Sequence, residues 1–205
     1  MQGYVLRVFP AHNEDVKVWL LTPERLVRAY RFYGARHSVV TQGYKLDFEL
    51  ESMGAGGGAR LRNVMHLGFA WLWERERLQA WQNFLGELGK HLRGIEELDP
   101  FYFNLLDECA KRFSRQNPKR VVVEAYLRLL AFEGRLHDDL RCAFCGGKVE
   151  EEVCLAQGFS PAHPRCAPRF KLETTPIKRL FATQSTAEMS DEIVRELYYI
   201  VLEGL

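Results

Sequence analysis

Apolar and polar positions alternate over the first fifty residues and recur at helical spacing from Leu61 onward, so the chain changes element type near residue 60. "YVLRVF", "VKVWLL" and "RAYRFY" are short runs rich in β-branched and aromatic side chains. "PAHNED" and "TPE" break them as loops do. "YKLDFELE" alternates in the manner of a half-buried strand. Several short strands in so little chain predict a small barrel or sandwich. The glycine-rich stretch "MGAGGGAR", 53–60, has no Lys-Ser or Lys-Thr after its glycines. It therefore reads as a flexible loop and not as a phosphate cradle.

Beyond it, Val64, Leu67, Trp71, Leu72, Leu78, Trp81, Leu85, Leu88 and Leu92 predict one long or two broken helices reaching about Arg93. Asp99-Pro100 and Asn117-Pro118 each pair a capping side chain with a proline suited to a first helical turn, and Gly134 suits a helix end. "TPIKRLFAT" and "SDEIVRELYYIVLEG" predict two closing helices, the second capped by Ser190. The expected fold class is α+β. A β-barrel over 1–60 precedes a helical domain over 61–205, which carries a cysteine-bearing module at about 140–170.

With 47% apolar residues the chain can bury a core, and its net charge of +1 names no partner. The N-terminus lacks a signal-peptide pattern and no run is long enough to span a membrane, so the expectation is a cytoplasmic protein. Five cysteines, an odd number, argue against a disulfide framework. Four of them fall within 25 residues. Cys142-Ala-Phe-Cys145 is followed by two glycines and, after seventeen residues, by His163-Pro-Arg-Cys166. Two ligand pairs spaced in this way match a structural zinc site, because a tight turn brings both donors of a pair to one metal. A redox pair would need a thioredoxin-like setting that is not evident here. Cys142, Cys145, His163 and Cys166 are the expected ligands, with Cys154 the rival to His163; Cys109 reads as core. Four protein ligands leave no place for a catalytic water, so the metal is expected to be structural.

Cationic residues cluster in three places. "RLVRAYRFYGARH", 25–37, holds Arg25, Arg28, Arg31 and Arg36 among Tyr30, Phe32 and Tyr33, with no acidic residue. Arginines neutralise phosphates and aromatics offer stacking platforms, although solvated arginines beside core aromatics would look the same. A second cluster runs from Lys111 to Lys119 and Arg120, where a solvated helix end is the plain reading. Arg165, Arg169 and Lys171 lie beside the cysteines.

Taken together, "GYVLRVFPAHNEDVKVWLLT", "YRFYGARH", "NPKRVVVEAYLRLLAFEGRL" and "CAFC…HPRC" resemble the DNA-repair mediator family RecO over essentially the whole chain. The resemblance implies an oligonucleotide-binding (OB) barrel, a helical domain and an inserted zinc module. It implies binding of single- and double-stranded DNA, annealing of complementary strands, and help in loading RecA onto strands coated by single-stranded-DNA-binding protein. RecR and that coating protein would be its partners, RecA an indirect one and the nucleoid its place; it implies no membrane and no enzyme activity. By position, Arg28, Arg31 and Arg36 fall where the barrel is expected to meet DNA. His163 stands where the family often has cysteine. The chain is short for the family and less basic than expected of it. Two other classes are compatible with the residues: an RNA-binding barrel protein with a zinc staple, and a zinc-dependent hydrolase.

Overall fold

Five strands close into a barrel: β1 (Gln2–Pro10), β2 (Val16–Leu21), β3 (Leu26–Arg31), β4 (Lys45–Ser52) and β5 (Ala59–Leu67). Around the barrel they run β1-β2-β3-β5-β4, and β4 pairs with β1 to close it. All pairings are antiparallel except β3 with β5. The computed structural model describes residues 1–36, 39–54, 58–95 and 97–205. His37 of the "YRFYGARH" stretch and residues 55–57 of the glycine-rich stretch lie outside the described residues. The chain divides into two units, Met1–Arg115 and Gln116–Leu205.

Strand alternation sorts the side chains. Val5, Val18, Leu20, Val27, Ala29, Leu46, Phe48 and Leu61 fill the barrel. A register shift between Val5 and Arg7 lets β1 place one extra residue against β2. After it, Val8 pairs with the inward Val18, while Arg7 and Phe9 pair with Trp19 and Lys17. Without that bulge Arg7 and Phe9 would face the core.

The helix expected from Leu61 is instead strand β5, which runs through residue 60; a domain boundary there would cut the barrel. Leu61 and Val64 sit three apart, as on a helix. The spacing arises because the pairing with β4 shifts between Asp47 and Glu49, and Asn63 adopts φ 47° opposite that shift. Both apolar residues thereby meet the barrel core. The helical spacing begins in earnest after a short 3-10 turn, Ala70–Trp73, with α1 (Arg75–His91) followed by α2 (Phe101–Arg112). Asp99 Oδ1 accepts from the Phe101 N–H at 2.8 Å, as the Asp-Pro start predicts.

Both helices belong to the barrel's unit. Tyr4, on the outer side of β1, packs against Trp81 and Phe103 with ring centroids 5.9 and 5.5 Å away. Its hydroxyl donates to Asp107 Oδ1 at 2.6 Å, and Lys45 Nζ reaches the same oxygen at 2.7 Å. Burial, first, and the Asp107 carboxylate, second, push the Tyr4 hydroxyl far above its ordinary range, so it remains a donor. Trp71 and Trp81 are buried, and their indole N–H groups donate to the Ala110 and Gly43 carbonyls at 2.8 and 2.7 Å.

The second unit holds α3 (Pro118–Phe132), α4 (Thr174–Thr183) and α5 (Asp191–Val201) with a three-stranded sheet. Its central strand β6 (Glu152–Leu155) pairs with β7 (Pro161–Ala162) and β8 (Leu172–Glu173). Asn117 Oδ1 caps α3 through the Lys119 N–H at 3.0 Å, and Ser190 Oγ caps α5 through the Ile193 N–H at 3.3 Å. Gly134, at φ 68°, ends α3 in the left-handed conformation that glycine adopts freely. Phe159 packs edge-on against Tyr126 of α3, centroids 4.9 Å apart. Among the described residues, no helix is long and apolar enough to cross a membrane.

Candidate nucleic-acid interface and candidate metal centre

The barrel presents cations and aromatic rings in alternation across three strands. Facing outward are Arg7 and Phe9 of β1, Lys17 and Trp19 of β2, and Arg28 and Tyr30 of β3. Cross-strand register makes neighbours of unlike partners: Lys17 lies opposite Tyr30, and Trp19 lies opposite Arg28. The charges accordingly sit over rings. Arg28 lies 5.2 Å from the Trp19 ring centroid, Lys17 5.3 Å from that of Tyr30, and Arg7 4.9 Å from that of Phe9. Where β3 meets β5, Arg60 stands 4.3 Å over Phe32 while keeping Glu51 at 3.9 Å. A cleft of about 640 Å³ opens among Pro10, Lys17, Tyr30, Phe32 and Met53, between the β1–β2 turn and the β4–β5 connection.

The cations marked in the sequence have different fates. Arg28 is exposed on this face and Arg25 is exposed at the β2–β3 turn. Arg31 shares strand parity with the inward Val27 and Ala29; its Nη1 donates to the Leu61 carbonyl at 3.1 Å, which braces the barrel rim. Its Nε is buried with no hydrogen-bond partner among the described residues. Arg36, in the turn Gly34–Arg36, is ion-paired with Glu14. Lys119 and Arg120 belong to the second unit. Arg120 is occupied there: it pairs with Asp191 at 2.8 Å and donates to the Met189 carbonyl at 2.7 Å and to the Thr186 carbonyl. It holds the approach to α5 and has little left to offer a phosphate.

Arg7, Phe9, Lys17, Trp19 and Arg60 are not singled out by the sequence. The alternation in "VKVWLL" is the available signal, since Lys17 and Trp19 occupy the positions between its core valines and leucine. That they share a face with Arg28 follows only from the strand register.

In the second unit, Cys142, Cys145, His163 and Cys166 come together, with all four ligand atoms within 4.8 Å of one another. Each pair is set by a backbone turn. The Gly146 N–H donates to the Cys142 carbonyl at 2.8 Å, with Gly146 at φ 72°, and the Cys142 N–H donates to the Gly147 carbonyl at 2.8 Å. The Cys166 N–H donates to the His163 carbonyl at 2.8 Å. His163 Nε2 lies 3.0 Å from the Lys148 carbonyl, which can only accept, so Nε2 carries the proton. Nδ1, 3.3 Å from Cys145 Sγ, is left as the donor atom for a metal.

Desolvation raises the Cys142 thiol pKa, but the backbone amides of His163, Cys145 and Phe144 outweigh it and bring the value down to about 6. Burial, first, and the neighbouring thiols push Cys166 up. The Lys148 carbonyl, first, and the thiols raise His163. A divalent cation at the centre of the cluster is what would stabilise three thiolates. Three sulfurs and one imidazole nitrogen are a soft tetrahedral donor set that could hold a metal ion. Cys154 is not among the four: it is buried in β6, with its thiol 3.5 Å from the Arg169 carbonyl. Cys109 is buried on α2.

A barrel of this strand order in the first unit, and in the second a four-residue cluster that could hold a metal ion, define the class: an OB-fold protein with an accessory module. Residues 1–72 match the family model described as RecO N terminal, a span that takes in all five barrel strands. Residues 1–72 are thus similar to the N-terminal domain of RecO, a likeness that supports a role of the DNA repair and recombination kind. No curated protein matches the chain.

Proposed function

We propose that this chain is a recombination mediator. It binds single- and double-stranded DNA, anneals complementary strands and, with RecR, helps load RecA onto DNA coated by the single-stranded-DNA-binding protein. The carrying observation is the cation–aromatic face on β1, β2 and β3 of a RecO N-terminal barrel. Rings on such a surface can stack on any base while the charges reach the backbone, which gives binding without sequence reading. Arg25, Arg28 and Arg36 extend the basic surface along β3 and its ends. Lys119, at the start of α3, is a further contact. Zinc is the metal proposed for Cys142, Cys145, His163 and Cys166, in a structural role, because four protein ligands complete its tetrahedron.

Binding of labelled single strands, followed across a range of salt, tests the surface. The Lys17→Gln, Arg28→Gln double variant should bind more weakly. Its log–log salt slope should fall by about 1.4 units, about 0.7 for each single-strand phosphate that the protein no longer neutralises. Wild-type affinity and slope in this variant would move DNA binding off the barrel face. Annealing of coated strands with and without RecR tests the mediator step; a rate that the full chain leaves unchanged would remove it.

A further inference from the structure

The metal cluster carries more on its outside than a staple needs. Phe144, between two of the ligands, is 62% exposed. The Phe144 and Cys145 amides face the Cys142 sulfur, while the Phe144 ring lies in solvent. In the second pair the matching position, one residue before Cys166, is Arg165, which is also exposed. Lys148 is exposed where the first turn ends, and its carbonyl is held by His163. Arg141, Arg169 and Lys171 are paired with Asp139, Glu203 and Glu152. Lys148 and Arg165 have no ion pair or side-chain hydrogen bond among the described residues. An exposed ring and two unengaged cations thus sit on or next to two turns whose ligand atoms lie within 4.8 Å of one another.

We propose that this tip is a second binding site for single-stranded nucleic acid, with a base stacked on Phe144 and phosphates met by Lys148 and Arg165. The proposal rests on the DNA-binding function above and deepens it: the barrel holds one strand while the metal tip captures another. Annealing requires two strands to be held by one assembly, and a single face supplies only one. A ring on a protruding turn presents a flat face that a base covers, whereas a peptide side chain needs a groove to enter. Because metal binding shapes the turns, the tip would be competent only in the metal-loaded chain.

The test uses the full, metal-loaded chain. Ultraviolet crosslinking to a labelled single strand, followed by trypsin, should mark the peptide Cys142–Lys148, which Arg141 and Lys148 delimit, as well as barrel peptides. The Phe144→Ala, Arg165→Gln variant should keep its metal and bind a first strand within about twofold of wild type, yet anneal complementary strands about tenfold more slowly. Phe144→Leu, which keeps an apolar tip and removes the flat ring, should show the same direction of loss. No crosslink on Cys142–Lys148 while barrel peptides are marked, or wild-type annealing by the double variant, overturns the second site and leaves barrel binding standing. The tip would then belong to a protein partner. No crosslink anywhere overturns the DNA reading and this site with it.

Discussion

The barrel unit and the unit that carries the cysteine–histidine cluster reach order by different routes. The barrel encloses a continuous apolar interior, and Tyr4, Trp71 and Trp81 bind α1 and α2 to its outside. Side-chain packing, backbone pairing and a few buried polar contacts hold it, with no ligand among them. Around the cysteines, residues 143–148 are exposed in an unbroken run, and two turns are held by a few backbone hydrogen bonds and by whatever joins the four ligands. The turn at 143–148 buries too little surface to offset the conformational entropy of ordering it. The barrel should be insensitive to metal, and the module should be governed by it.

Metal removal should separate the two most sharply. Apparent binding energies of structural zinc sites run to about 10–16 kcal/mol, more than a few turn hydrogen bonds supply. Cys142→Ser or a strong chelator should lower metal content from one per chain toward zero and open residues 140–170 to protease, while DNA binding by the barrel persists. Well-folded wild type carrying less than about a tenth of an equivalent of metal would mean that the module stands alone.

The converse experiment is made in the barrel unit. Trp81→Ala removes a fully buried indole and its hydrogen bond to Gly43, and should cost about 3–5 kcal/mol by denaturant unfolding, with metal content unchanged. An equal fall in metal content would show that the two units fold as one. A smaller effect is expected at Asp107, which serves both Tyr4 and Lys45. Asp107→Ala strands a buried hydroxyl and a mostly covered ammonium, and should cost about 2–3 kcal/mol. Asp107→Asn, which keeps an acceptor for Tyr4, should cost less; the reverse order would argue that Lys45 matters more than Tyr4.

The smallest expected change is at Trp73. Although it lies next to the buried Leu72, it is 91% exposed. Trp73→Ala should alter stability by no more than about 0.5 kcal/mol, as surface substitutions do. A larger effect would reveal packing that its exposure does not show.

Some of this is legible in the chain itself. Asn117-Pro118, Gly134 and Ser190 mark helix ends because caps act within one turn. The Cys142–Cys145 and His163–Cys166 spacings point to a metal because each pair is joined by a local turn. β5 reads as helix in the sequence because a bulge gives Leu61 and Val64 a helical interval, and only pairing with β4 and β3 selects the strand. The cation–aromatic face depends on strand register, which brings Arg7, Lys17, Trp19 and Arg28 together across three strands. Likewise, Arg28 and Arg31 are three residues apart in one basic run, yet the pleat turns the first to solvent and the second to the barrel rim. Arg120, one residue from Lys119, is claimed by Asp191 from across the second unit. What is decided within a turn of backbone could be read from residue order; which cations remain available to a ligand was decided by partners distant in sequence, because a charge is neutralised by whatever the fold places beside it.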